Sequence, residues 1–311
     1  MARPGFPKTL REFRERFAEE EACYEYLVQS RWPEGMVCTR CQGRLFWRRS
    51  HRWLYQCQVC GYEVSPTAGT LLQDTHMPIR EWFWTAYLVS THTPGLSAKQ
   101  LQRQLGCSYK TAWYMLHRLR RGMVNETRSP LQGLVEADET IIGGPVKGVA
   151  GRGVTAAETK TLVLGAVEVL RWQKKGRGWQ ERAGRIRLAP ADRADAETIG
   201  RFLRANVAAG TEIRTDGWQG YSKSAMSGYQ HDAAPGQRAR HIHRAFGNLK
   251  TWLAGTHHGV DPKYLSHYLD EYVFRFNRRT TPMAAFQTLL GLTATRTPLG
   301  YRALTEPEST G

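Results

Sequence analysis

The sequence predicts an α/β chain: a mixed sheet with flanking helices, preceded by a small cysteine-stapled ribbon and a pair of short capped helices. Three observations predict it. Two C-x2-C pairs, Cys38/Cys41 and Cys57/Cys60, stand fifteen residues apart. Between Ser97 and Arg121, one serine-capped helical pattern ends at a glycine and leads straight into another. From residue 134 the texture changes to strand-like runs, one of them the nearly continuous apolar stretch Thr161-Leu-Val-Leu-Gly-Ala-Val-Glu-Val-Leu.

At 311 residues the chain has room for two or three domains and a sizeable core. Ten Trp and thirteen Tyr exclude disorder for the bulk of it. No apolar run approaches the roughly 18 residues of a membrane span. The start, Met-Ala-Arg-Pro-Gly-Phe-Pro-Lys, leads into charged helix rather than a secretory signal, so no membrane partner and a cytoplasmic, nucleoid-associated location are expected. Forty-four Lys+Arg against twenty-eight Asp+Glu leave +16, which points to a polyanion, nucleic acid first. The excess is densest in the middle. Residues 1–37 carry −1, 38–133 carry +9 and 134–311 carry +8.

Taken in order, residues 1–37 hold an amphipathic helix over 9–28, with Leu10, Phe13, Phe17 and Tyr24 near helical spacing. Residues 38–74 form the ribbon. Each C-x2-C pair directs two thiolates from a tight turn, and two such turns complete a tetrahedral site for structural Zn²⁺ through Cys38, Cys41, Cys57 and Cys60. Gly43 and Gly61 give those turns backbone freedom, and Arg44–Arg48 and Arg52–Gln56 read as its strands. A redox pair or four buried free thiols would not explain two pairs at this separation. Cys23 and Cys107 read as packed thiols.

Residues 75–128 read as a DNA-binding helix-turn-helix region. A first helix begins at Pro78, with Trp82, Phe83, Trp84 and Tyr87 in the core. Ser97 then caps one helix, Gly106 ends it, and Ser108 caps a second that runs to about Arg121. Tyr109, Lys110, Arg118, Arg120 and Arg121 on that second helix are the candidate DNA contacts. Many helical hairpins share the pattern, and its place in the +9 segment is what favours DNA.

After a linker between Gly122 and Gly133, residues 133–295 form the α/β domain. Strands are expected at Leu134-Val-Glu-Ala-Asp-Glu-Thr-Ile-Ile-Gly-Gly, Thr161–Leu170, Arg185–Pro190 and Glu212–Trp218, with a helix from Asp195 to about Val207 before the last. Three strands, a helix and a strand closing on an acidic residue suggest a mixed sheet of the RNase H type. On the first strand Glu136 and Asp138 share one face and Glu139 takes the other. Asp216 ends the fourth strand; if the two strands are neighbours, Asp138 and Asp216 meet and can hold a divalent cation. Read alone, a salt-bridged strand Asp and an Asp-Gly turn are equally good accounts. A later helix with Tyr264, Leu265, Tyr268, Leu269, Tyr272 and Phe276 packs on the sheet, and its Asp270 and Glu271 are reserve carboxylates. Residues 296–311 read as a tail, disordered from about 304.

Val135-Glu-Ala-Asp-Glu-Thr-Ile-Ile-Gly-Gly, Thr215-Asp-Gly-Trp-Gln-Gly-Tyr, His243-Arg-Ala-Phe-Gly-Asn-Leu-Lys-Thr-Trp and Tyr268-Leu-Asp-Glu-Tyr-Val-Phe-Arg-Phe-Asn-Arg-Arg resemble successive motifs of one family. That family is the bacterial insertion-sequence transposases that join a zinc ribbon to a DDE-type, RNase H-like catalytic domain, related to the Merlin-like elements. The resemblance implies that Asp138 and Asp216 are the first two catalytic carboxylates and that His243 holds the third position, a DDH variant. His241, His257 and His258 are its rivals. It also implies Mg²⁺ or Mn²⁺ at that site, with Lys250 on the same helix available to a phosphate. Only twenty-six residues separate Asp216 from His243, which leaves the segment beginning Gln230-His-Asp-Ala for a shortened fifth strand. The expected activity is transposition: binding of terminal inverted repeats in double-stranded DNA, hydrolysis at the element ends and joining of the 3′-OH to target DNA, by a homodimer or larger assembly. The alternatives are a non-catalytic DNA-binding regulator, a decayed copy, and a nuclease that cuts without joining.

Overall fold

The computed structural model describes residues 4–49, 53–124, 128–143, 160–174, 176–233, 239–298 and 300–305. It forms two compact units, one of residues 1–125 with 278–311 and one of residues 126–277.

In the first unit the single helix expected over 9–28 is two, α1 (Leu10–Arg16) and α2 (Glu20–Arg31). The Thr9 hydroxyl caps α1 by accepting the Glu12 N–H at 3.1 Å, and Phe17 leaves helical geometry. The break has a packing reason. It lets Phe17 and Tyr26 both meet Phe83, at ring separations of 4.9 and 5.7 Å. The ribbon follows as β1 (Phe46–Arg49), β2 (Leu54–Cys57) and β3 (Glu63–Val64), a three-stranded antiparallel sheet; Arg52, expected to open the second strand, lies outside the described residues.

Helix α3 (Ile79–Thr91) buries Trp82, Phe83 and Tyr87. Next come α4 (Ala98–Leu105) and α5 (Tyr109–Gly122), with the caps that their serines and glycine predict. Ser97 accepts the Gln100 N–H at 3.1 Å, Gly106 is left-handed at φ 64°, and Ser108 accepts the Thr111 N–H at 3.0 Å.

The helix at Pro282–Thr295 belongs to this first unit and not to the segment 133–295 in which it was expected. Its Phe286 is fully buried against Phe13, Phe17, Tyr26 and Phe83. An apolar helical face is legible in sequence, but its partner is not. Tyr301–Thr305 is a further short helix within the predicted tail, and residues 306–311 lie outside the described set.

The second unit is built on a five-stranded sheet of β4 (Leu134–Ile142), β5 (Thr161–Lys174), β6 (Gly178–Ala191), β7 (Glu212–Thr215) and β8 (Gln230–Ala233), in spatial order β6-β5-β4-β7-β8. The first three strands form an antiparallel meander, and β7 and β8 run parallel to β4. This is the RNase H-like order. The fifth strand is short but present, with four residues in register with β7. The third strand reaches back to Gly178, well before the expected Arg185, because its polar first half takes strand form from its ladder with β5.

Helix α6 (Ala196–Asn206) covers one face, packing Ile199, Phe202 and Leu203 on Val135, Ala137, Leu164 and Ala166. Helices α7 (Arg240–His257) and α8 (Leu265–Asn277) cover the other through Ile242, Phe246, Leu249, Leu265 and Leu269 on Val163, Val167, Ile186 and Leu188. Gly165 sets how closely α7 approaches. An added Cβ there would stand 2.7 Å from the Phe246 ring and 2.9 Å from Ile242 Cδ1. Gly165 is the ladder partner of Asp138.

Candidate active site

Asp138 lies at the centre of β4, on the face covered by α7, and is 9% exposed. His243, in the first turn of α7, brings its Nε2 to 2.8 Å from Asp138 Oδ2 while half of its side chain remains open to solvent. Burial pushes the Asp138 carboxyl above the ordinary carboxylate range, and the charge of Asp216 adds to that. The Glu139 N–H, donated to Asp138 Oδ1 at 2.8 Å, and the His243 ring oppose it.

Asp216 follows the last residue of β7, at the end of the strand that neighbours β4. Its Oδ1 accepts the Trp218 N–H at 2.9 Å, and Gly217 takes a φ of 82° that favours glycine. The preceding Thr215 Oγ1 lies 2.9 Å from His231 Nε2 on β8, so the short fifth strand braces the turn that presents Asp216. Glu139, on the opposite face of β4, accepts the Tyr221 hydroxyl at 2.9 Å. Burial raises its carboxyl too, and Asp138 and Asp216 reinforce the rise.

The start of α7 is held by a group that sequence reasoning placed on the right face but gave no role. Glu136 is fully buried, two residues before Asp138. One carboxylate oxygen accepts the N–H groups of His241 and Ile242 at 2.6 and 3.0 Å, and the other lies 2.8 Å from His241 Nδ1. A buried anion thus satisfies orphan donors at the positive end of the helix. Two spacings of two match each other: Glu136-x-Asp138 on the strand and His241-x-His243 on the helix. That correspondence is the signal in the sequence that could have found the clamp. Of the rival histidines, His241 is this buried partner of Glu136, His257 lies in the last turn of α7 beside Trp252 and Tyr268, and His258 is its left-handed cap. Glu271 is buried on α8 with Arg275 3.7 Å away.

The four ribbon sulfurs lie within 4.8 Å of one another, the donor set of a structural zinc site. The Cys60 N–H is directed at the Cys57 sulfur and, against burial, holds that thiol below its ordinary range, with the Val59 N–H adding to the effect. Gly43 serves differently from the expectation: Gln42 takes the positive φ of 62°, whereas a Cβ at Gly43 would crowd Cys41 and Cys57 Sγ at 3.3 Å. Gly61 has the expected positive φ of 72°. Cys23 is a packed thiol, fully buried and pushed up to about 12 by that burial. Among the described residues the four cysteines alone reach such spacing; Asp216 is an electrostatic neighbour of Asp138 and not part of an equally tight cluster.

The candidate DNA contacts on α5 divide. Tyr109, Lys110 and Arg121 are exposed, and Lys110 lies over the Tyr301 ring at 4.3 Å. Arg118 and Arg120 are not surface residues. They are 4% and 1% exposed, and Arg118 donates to the Gln73 carbonyl at 2.9 Å and covers the Tyr114 ring. From Met115 to Arg120 the helix is buried all round, which the run of basic residues disguises. Lys250 is exposed on α7, two turns beyond His243 on the same face.

With this geometry in place, comparison with known proteins is decisive. Residues 130–277 match the ISXO2-like transposase domain, and residues 18–63 match a transposase zinc-ribbon domain. The chain belongs to this family of insertion-sequence transposases. A relative in Halobacterium salinarum, described as an uncharacterized protein in transposable element ISH50, is 26% identical over 215 residues, 66% of this chain and 70% of the relative. The matched transposase domain begins just before β4 and ends with α8, so it coincides with the second compact unit. No helix among the described residues of this transposase is long and apolar enough to cross a membrane.

Proposed function

We propose that this transposase acts on double-stranded DNA through one site made of Asp138, Asp216 and His243. The observation that carries the reading is the 2.8 Å contact between His243 and a buried carboxylate whose ionisation Asp216 already opposes. His243 is in contact with Asp138, and Asp216, at the end of the strand that neighbours β4, is near enough to act on Asp138 through its charge. Such a donor set fits a hard or borderline divalent cation, and the mutual repulsion of Asp138 and Asp216 is what a dication relieves. Asp138, Asp216 and His243 are the residues that would hold Mg²⁺ or Mn²⁺, which supplies charge neutralisation at a phosphodiester. Because a neutral imidazole adds no negative charge, Mn²⁺ is expected to serve at least as well as Mg²⁺.

The remaining residues position. Glu136 and Gly165 fix where α7 begins and how near it comes, and so hold His243 at Asp138. Lys250 is aimed along the same helix face and is suited to a phosphate. Tyr109, Lys110 and Arg121 on α5, with the zinc ribbon, are suited to hold the terminal inverted repeats. The reaction is hydrolysis at each element end, followed by attack of the freed 3′-hydroxyl on target DNA in the same site. Two ends imply at least a homodimer in the working complex.

The test is an end-cleavage and strand-transfer assay with a labelled inverted-repeat duplex and plasmid, in Mg²⁺ and separately in Mn²⁺. Joined products from the wild type, absent from Asp138→Ala and Asp216→Ala, are expected. Cut ends without joined product would make the protein a nuclease. Bound but uncut ends under both metals would make it a regulator or a decayed copy.

A further inference from the structure

We propose that the outer half of the β5–β6 hairpin is a DNA-binding arm that grips duplex DNA within about one helical turn of the reacting phosphodiester. The proposal rests on the transposase reading above and adds a contact surface to it. Strand β4 pairs with β5 only as far as Glu168, so Val169–Lys174 and Gly178–Ala183 continue as a two-stranded ribbon with no third strand among the described residues. An isolated two-stranded ribbon has little stability of its own. This one also exposes what a free surface usually hides: Leu170 and Trp172 are 41% and 42% exposed, and Trp179 is 70% exposed.

Its charge identifies the partner. Arg171, Lys174, Arg177 and Arg182 stand against Glu181 alone on the described part of the arm, and they flank the indoles. Arg182 reaches over the Trp172 ring at 5.8 Å. Exposed aromatics interleaved with basic side chains match a phosphate backbone with sugar and base edges behind it. An apolar protein partner would leave the cations desolvated, and an acidic one has no use for two bare indoles.

The arm is aimed, not loose. Glu181 lies 2.9 Å from Arg171, 3.4 Å from Arg214 on β7 and 3.0 Å from Arg240, the first residue of α7. Arg240 is one helical turn before His243. The same carboxylate therefore ties the arm's root to the helix that carries the active-site histidine. A shift in register between Val167 and Val169 marks where the ribbon leaves the sheet. Lys174 lies nine residues along β5 from Gly165, the partner of Asp138. At about 3.3 Å per residue the tip lies at most roughly 30 Å from the active carboxylate, which is about nine base pairs of duplex.

The experiment measures equilibrium binding of the full-length zinc-loaded protein to its own inverted-repeat duplex across a salt series, without added Mg²⁺ or Mn²⁺ so that cleavage does not intervene. Lys174→Ala/Arg177→Ala is expected to lower the slope of log Kd against log salt by about 2, one phosphate contact each. Trp179→Ala is expected to weaken binding about fivefold or more with the slope unchanged. Hydroxyl-radical protection should be lost within about nine base pairs of the cleavage point in both variants. Wild-type slope, affinity and footprint in both variants would overturn the proposal. So would a change in oligomeric state of the DNA-free protein, which would make the arm a contact between copies. If the wild type fails to bind the duplex at all, the transposase reading fails instead, and the two failures are told apart in the same titration.

Discussion

Replacing Gly165 by Ala adds one methyl group at the narrowest point between the sheet and α7. That methyl would stand 2.7 Å from Phe246 Cε1 and Cζ and 2.9 Å from Ile242 Cδ1. Carbon atoms settle at about 3.5–4.0 Å, so the helix must lift by about 1 Å or two buried side chains must leave their rotamers. Phe246 and Ile242 are both buried, which leaves little room for the second course. Overpacking of this kind costs about 1–3 kcal/mol. For a unit of this size that is a fall in Tm of about 2–4 °C per kcal/mol. The effect on function should exceed the effect on stability. His243 follows Ile242 directly and sits 2.8 Å from Asp138, so a 1 Å lift breaks that contact, and misplacements on this scale cost about 10²-fold in rate. Calorimetric melting and single-turnover end cleavage, run on the same preparation, read both. A Gly165→Ala protein that melts and cleaves like the wild type would refute the claim that Gly165 sets the position of His243.

Three other outcomes are expected. Glu136→Ala strands three buried donors, at about 1–3 kcal/mol for each unsatisfied group, so urea unfolding should show a loss of several kcal/mol, and Glu136→Gln, which keeps an acceptor, a smaller one; equal stability of the Ala variant would contradict the clamp. Glu168 is buried, yet the Arg185 guanidinium at 2.5 Å and the N–H groups of Gln132 and Arg185 outweigh burial and hold its carboxyl below the ordinary range. Its folded pKa is depressed, so its contribution is present above the unfolded carboxylate pKa and lost as pH falls through the lower folded value; the stability gap between wild type and Glu168→Gln should be constant near neutrality and close only in acid. Removing zinc with a chelator, or substituting Cys57→Ser, should unfold the ribbon, since structural zinc contributes about 10–16 kcal/mol in comparable small folds; the stacked Tyr24–Trp53 pair, at 4.4 Å, gives a fluorescence signal for it, and an unchanged signal in zinc-free protein would count against a metal-dependent ribbon.

The parts of the fold legible in the sequence are those fixed by local chemistry. Ser97, Gly106 and Ser108 announce helix ends because a hydroxyl or a left-handed glycine is needed there whatever lies around it. The cysteine spacings work the same way, as does the two-residue alternation that puts Glu136 and Asp138 on one face of β4. What the sequence hides is set by partners distant in the chain. Phe286 cannot be assigned to α1–α3 from its own helix, and the first half of β6 is polar enough to pass for a loop until β5 pairs with it. Arg118 and Arg120 mislead for a related reason: basic side chains in a basic segment look like surface, yet α5 is buried on every side from Met115 to Arg120. At the candidate site, strand pattern offered Asp138 and Asp216 as a pair and resemblance added His243, whereas the roles of Glu136, His241 and Tyr221 emerge only when strand and helix are brought together.

The most direct measurement compares strand transfer by His243→Ala and His243→Glu with the wild type, in Mg²⁺. If His243 completes a site with Asp138 and Asp216, the alanine variant loses joined product, while the glutamate, restoring an all-carboxylate set, retains it in Mg²⁺. Full joining activity in His243→Ala would contradict the account, because the contact on which the site is built would then have no part in the chemistry.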